Sequence, residues 1–297
     1  MSTSLDPEAP IVIGALGGSG TRVVGDILRG AGVHLGGNLN TASDAVTATV
    51  LFNRPRWAAG ATSAEIRLEF ERLRRFLLRR DLRTEDYRAL LAAALRPGHT
   101  EGVRRRLRYA RRVRREHGPE GATRWGWKEP NSHLFLSELA DTFTRLRFVY
   151  VARHPLDMAF SENLNQLRNW AGRFGLEMPD EADADAVARS QLDLWIASTQ
   201  GALEAGERRL EDRFLFLRFD DLLDDPRATV DRLLGFVGVE ADETTRARLV
   251  GMPRRPSSDG RFRSHDLSVF RPDQLEAIDR LWGPPGNRAD SDARRAR

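Results

Sequence analysis

The apolar run Ile11-Val12-Ile13 leads straight into Gly14-Ala15-Leu16-Gly17-Gly18-Ser19-Gly20-Thr21, and a helical pattern begins directly behind it. A brief apolar run against a glycine cluster reads as a short buried strand. Val23, Val24, Ile27 and Leu28 share one face of the helix that follows, with Gly30 and Gly32 near its end. Strand, glycine loop and helix in direct succession open an α/β nucleotide-binding unit. Glycines let the backbone approach a ligand and turn its N–H groups inward, and the helix N-terminus adds positive potential. Gly17, Gly18, Ser19, Gly20 and Thr21 are therefore expected to hold phosphate; the competing reading is a glycine turn without a ligand.

The loop fits neither of the commonest phosphate patterns. A Walker A loop ends in Gly-Lys-Ser/Thr, whereas Gly20 is followed by Thr21-Arg22. The lysine for the β- and γ-phosphates and the hydroxyl for Mg²⁺ are both out of register. No G-x-G-x-x-G starts from Gly14 either, which excludes a dinucleotide fingerprint.

Further along, Thr62 and Glu65 form a capping box ahead of Ile66, Leu68 and Phe70. Residues 62–116 read as helices, one starting at Thr84 and stopping near Pro97-Gly98. Another runs from about Thr100 with arginines at 104–106, 108, 111, 112, 114 and 115. Leu146 to Ala152 is the strongest strand, and it is followed by Arg153-His154-Pro155 and a helix. An acidic loop over 178–185, a long helix over 186–210, a strand over 214–217 and a helix over 226–237 come next. A basic Pro/Ser/Gly segment, 253–265, precedes a last helix near 272–282. Residues 1–9 and 284–297 read as disordered tails.

Composition narrows the chemistry. With no cysteine, disulfides, thiolate catalysis and zinc–thiolate sites are excluded. The N-terminal segment lacks the basic and apolar regions of a signal peptide, and no apolar run spans a membrane, so a cytoplasmic location is expected. A net charge of +4 is too small for a wholesale nucleic-acid binder. There are forty-six arginines and a single lysine, Lys128, inside Arg124-Trp125-Gly126-Trp127-Lys128-Glu129-Pro130. A position that keeps lysine where arginine is otherwise used calls for a compact, mobile point charge; a stray codon is the bland alternative.

Arg153 ends a strand, where an arginine points into the ligand crevice of a doubly wound sheet. Its fork suits phosphate, and Ser161, two turns on, can reach the same group. A strand-end Arg153 paired with Asp157 is the competing reading.

Together these segments resemble the sulfotransferases that use 3′-phosphoadenosine 5′-phosphosulfate (PAPS). Gly17-Gly18-Ser19-Gly20-Thr21-Arg22 is similar to their 5′-phosphosulfate loop, and Arg153 with Ser161 to their 3′-phosphate motif. Arg218-Phe219-Asp220-Asp221-Leu222 with Asp225-Pro226 resembles a further family stretch, and Trp127-Lys128-Glu129-Pro130 the Lys-x-Pro element of the bacterial and tyrosylprotein branches. Arg261 and Arg263 lie in a segment resembling the family's late basic loop over the 3′-phosphate. The similarity spans roughly residues 10–265. It implies a P-loop-like three-layer α/β/α fold with a central parallel sheet, one domain over 10–283, and a helical insertion at about 45–120.

It also implies PAPS as sulfuryl donor, no metal, and an acceptor hydroxyl on a small molecule, glycan or peptide. Many members carry a cation two positions before the Gly-Thr pair, where this chain has Gly18. Arg22 or Lys128 must then neutralise the transferring group. Asp44 is the expected general base and His34 the second choice, while an N-cap role competes for Asp44. Glu129 and His154 receive no role. The Arg104–Arg115 helix reads as a solvated or acid-paired face. Two rival functions are an atypical P-loop kinase using ATP and Mg²⁺, and a polyanion- or RNA-binding protein built on that helix.

Overall fold

The computed structural model describes residues 5–95 and 103–283. Its centre is a five-stranded, wholly parallel sheet in the order β2-β3-β1-β4-β5. β1 (Ile11–Gly14) runs through the glycine loop into α1 (Thr21–Gly30) and the two-residue β2 (Val33–His34). Helices α2 (Val46–Phe52), α3 (Pro55–Ala58), α4 (Ser63–Leu78), α5 (Thr84–Leu95) and α6 (Val103–Arg112) follow before β3 (Arg124–Lys128). Then come α7 (Leu136–Thr142), β4 (Arg147–Ala152), α8 (Pro155–Ala159), α9 (Asn165–Trp170) and α10 (Ala184–Arg209). The chain ends with β5 (Phe214–Arg218), α11 (Phe219–Asp224), α12 (Pro226–Val237), α13 (Glu243–Val250) and α14 (Pro272–Trp282).

The period-two alternation of strands explains the layers. Ile11, Ile13, Val149 and Val151 face one core with α1 and α12, whereas Val12, Phe148 and Tyr150 face the other with α4, α7 and α10. Both faces of the sheet are thus covered, as an all-parallel sheet requires. At α4 the Thr62–Glu65 capping box forms as the sequence indicated, with Thr62 N donating to Glu65 Oε2 at 2.9 Å.

β3 departs from the sequence reading, which placed no strand there. Arg-Trp-Gly-Trp-Lys has no β-branched residue, and Gly126 would be expected to weaken a strand. The glycine is required by its neighbour: a Cβ there would stand 1.7 Å from the Ile11 carbonyl oxygen. Trp125 and Trp127 both turn to one side and pack with Phe143, the indole of Trp127 lying 5.7 Å from that ring. The strand is stabilised by aromatic burial, which local pattern does not reveal.

Two other segments also differ. Residues 5–9 were read as a disordered leader, yet Leu5 is buried and Asp6 pairs with Arg145. Between the helix after Pro155 and the 178–185 loop, where no element was expected, lies α9. The disordered reading of residues 1–4 and 284–297, and the helix boundaries at Pro97-Gly98 and Thr100, lie outside the described residues.

β1 is flanked by β3 on one side and β4 on the other, so the chain's winding reverses at β1. The crevice outside the carboxyl ends of strands at such a reversal is where open α/β sheets bind ligands. The glycine loop, Lys128 and Arg153 stand at the ends of these three adjacent strands.

Candidate active site

The glycine loop is shaped by its neighbours as well as by its own backbone. Gly18 and Gly20 adopt φ of 99° and 88°, the left-handed region. A Cβ at Gly20 would also lie 2.3 Å from the Phe219 ring, which ties the Arg218–Leu222 stretch to the loop. Ser19 is turned inward, its hydroxyl donating to the Leu16 carbonyl at 2.6 Å. Gly20 caps α1 without any side-chain hydrogen bond, which leaves first-turn N–H groups of the helix for an anion. Thr21 is buried and Arg22 exposed on that first turn.

Lys128 and Asp44 meet at the end of β3. The Lys128 ammonium donates to an Asp44 carboxylate oxygen and to the Ala42 carbonyl, the latter at 2.7 Å. Asn40 donates to the second Asp44 oxygen at 2.8 Å. Asp44 is not a helix cap: α2 begins one residue later than the N-cap reading required, with Ala45 as N-cap and no side-chain cap. The lysine side chain is 2% exposed and runs past α1, its Cγ 3.7 Å from where a Cβ on Gly25 would stand.

Glu129, the next residue, is a feature the sequence reading passed over. Its side chain is buried; Asn131 donates to Oε1 at 3.0 Å, and Oε2 has no partner among the described residues. Burial, reinforced by the negative charge of Asp44, pushes its carboxyl up to about 8. Near neutral pH it is therefore a protonated acid and poorly suited to act as base. Because the folded value lies above the unfolded one, the stability associated with protonated Glu129 is present at low pH. It is lost as pH rises from the ordinary carboxylate range through about 8. We predict that Glu129→Gln removes this slope and raises stability at pH 8.5, by about 1.4 kcal/mol per pKa unit of displacement. Denaturant unfolding of both proteins across pH 5–9 checks it; parallel stability curves contradict the assignment.

At the end of β4, Arg153 is buried and donates to Asp157 at 3.2 Å and to Ser258 Oγ at 3.0 Å. Asp157 also accepts from the Gly260 backbone at 2.9 Å, so the 253–265 segment folds onto this strand end. Arg153 is thus paired with Asp157, and Arg261 reaches the same Ser258 carbonyl as Arg153. Arg261 donates to the Phe160 carbonyl at 3.2 Å and has no carboxylate in hydrogen-bond contact among the described residues. Burial and the charge of Arg153 lower its pKa. Arg263 is exposed, its guanidinium 5.7 Å from the Phe262 ring. The His154 ring stacks on Phe262 at 4.5 Å, and its backbone N–H donates to Asp220, whose carboxyl burial raises to about 6. Ser161 accepts from the Asn163 backbone and lines a cavity of about 30 Å³ shared with Gly17, Gly18 and Met158.

Beside the loop opens a larger cleft of about 530 Å³, lined among others by Gly17, Gly18 and Asp44 and by Arg108 and Arg112 of α6. Arg112, on the helix expected to present a solvated or acid-paired face, donates instead to Asn38 Oδ1 at 3.0 Å and to the Leu39 carbonyl, bracing the loop that carries Asp44. His34 is outside this lining. It lies on β2 against His117, 6.2 Å away, and burial lowers it to about 4.

A model of the sulfotransferase family matches residues 10–243. Among solved structures, the sulfotransferase domain of the Synechococcus PCC 7002 olefin synthase is similar at a TM-score of 0.50 and 16% identity, over 94% of this chain and 96% of that one. Sulfotransferase STF9 from Mycobacterium avium is similar at a TM-score of 0.45 and 15% identity, over 93% and 76%. No curated protein matches the sequence. The likeness to the olefin synthase domain is one of fold.

Proposed function

This chain belongs to the sulfotransferase family, and on that premise we propose that it moves the sulfuryl group of PAPS to an acceptor hydroxyl. The observation that carries the reading is the placement of three different groups at the ends of three adjacent central strands: a glycine loop after β1, a lysine ending β3 and an arginine after β4. The residues fit such a donor. The uncapped start of α1 offers N–H groups to the 5′ end, and Arg153 with Arg261 and Ser161 offers charge and hydrogen bonds to the 3′-phosphate.

When bound, PAPS supplies an activated sulfur that the acceptor oxygen attacks while the bond to the 5′-phosphate oxygen breaks and the hydroxyl proton departs. Lys128 counters the charge developing at that centre, since Gly18 cannot. Asp44 takes the proton. The two roles are coupled, because an Asp44 oxygen now holds the ammonium. Movement of Lys128 toward the sulfuryl group frees that oxygen for the acceptor. Arg22 is the reserve cation on the first turn of α1.

Differential thermal stabilisation tests this reading. The adenosine product 3′-phosphoadenosine 5′-phosphate (PAP) at a hundred times its Kd should stabilise by about 2.7 kcal/mol. ATP with Mg²⁺ and an oligonucleotide should do little, and turnover should survive excess EDTA, because the loop has no Ser or Thr in register for a bridging metal. Stabilisation by ATP with Mg²⁺ and full inhibition by EDTA identify a kinase; stabilisation by the oligonucleotide alone identifies a polyanion binder.

A further inference from the structure

We propose that the acceptor is a polyhydroxylated molecule bearing an anionic substituent, of the sugar-acid type, held in the cleft beside the glycine loop; this rests on the sulfuryl-transfer reading. Pockets for small molecules are usually lined mainly by apolar side chains. This one is not. Asn40, Asn53, Asn163, Asn165, Gln166 and Asn169 all line it, and no Leu, Ile, Val, Phe or Met does. A carboxamide offers both a donor and an acceptor, the pairing that a ring of hydroxyls needs. Among the described residues, Gln166 Oε1 is shielded from solvent without a hydrogen-bond partner. Phenols or sterols would leave these groups desolvated and unpaired, which costs affinity.

The charge distribution supplies the second half. Arg168 is matched by Glu181, with contacts at 2.8 and 2.6 Å, and adds little net charge. Asp44, the acid of the lining, is matched by Lys128. Among the described residues Arg112 bonds only neutral oxygens, of Asn38 and Leu39. Arg108 is exposed and makes no ion pair among the described residues. The surplus positive charge of the lining therefore lies on α6. An acceptor would present its hydroxyl to Asp44 and its anionic group to α6.

The test uses the full chain and three matched compounds: p-nitrophenyl glucuronide, p-nitrophenyl glucoside and p-nitrophenol. Binding to the protein saturated with PAP is measured by calorimetry, and turnover with PAPS by PAP release. The glucuronide should bind about tenfold more tightly than the glucoside, and p-nitrophenol least. In Arg108→Glu that preference should vanish or reverse while PAP affinity is retained. Tightest binding of p-nitrophenol, or equal binding of the two glycosides, overturns the proposal, as does a glucuronide preference that survives Arg108→Glu. Failure of the wild-type chain to bind PAP is a different result: it removes the sulfuryl-transfer reading itself, and the acceptor inference falls with it.

Discussion

Lys128→Ala lowers kcat by about 10²–10³-fold while changing PAP affinity little, by analogy with loss of one oxyanion donor. The reason lies in when the ammonium acts. In the resting site it is held by Asp44 and the Ala42 carbonyl. Its contact with the sulfuryl group matters as charge moves onto the leaving oxygen, and an interaction made mainly in the transition state appears in kcat. Lys128→Arg should also be impaired. Its side chain is almost fully buried against α1 beside Gly25, and a planar guanidinium is wider than an ammonium and cannot turn its donors freely. Removing a buried partner of Asp44 lowers stability too, so a melting curve must first show each variant folded at the assay temperature. Arginine serves at every other cationic position of the chain; a fully active Lys128→Arg would mean that the lone lysine has no special task.

How much of this was legible in the sequence depended on whether the signal was local. The glycine loop, the Arg153 turn, the capping box at Thr62 and the helices at 226–237 and 272–282 are written in consecutive residues, and the chain folds there as read. β3 was missed because its stability comes from Trp125 and Trp127 meeting Phe143, a contact between distant segments, and because Gly126 is explained only by the strand beside it. The Asp44 carboxylate was ambiguous between cap and base; the start of α2 at Val46 removes the cap, and its contact with Lys128, eighty-odd residues away, could not be read locally. His34 looked suitable by type, but β2 sets it against His117 and outside the cleft. Glu129 gave no signal at all: its raised carboxyl follows from burial, which a sequence does not print. The cleft is assembled from residues near 40, 53, 108–112 and 163–169, too scattered for any motif.

Arg153→Ala should weaken PAP binding by about 1.5–3 kcal/mol more than it weakens binding of adenosine 5′-phosphate. Comparing the two nucleotides is necessary because Arg153 has structural work as well. It bonds Asp157 and Ser258, and Asp157 in turn fixes the Gly260 backbone. Deleting the guanidinium leaves a buried carboxylate short of its cation and loosens the 253–265 segment, with a penalty to folding and to every ligand that needs the strand end intact. That penalty is common to both nucleotides and cancels in their ratio. What remains is the charge-assisted contact to the 3′-phosphate, which adenosine 5′-phosphate lacks. Arg153→Lys retains the charge but not the fork, so its selectivity should fall between wild type and alanine. Arg261→Ala should move the ratio in the same direction by less, since Arg261 is more exposed. Calorimetry of the two nucleotides on each variant decides the matter: an equal loss for both places the 3′-phosphate elsewhere and leaves Arg153 a structural residue.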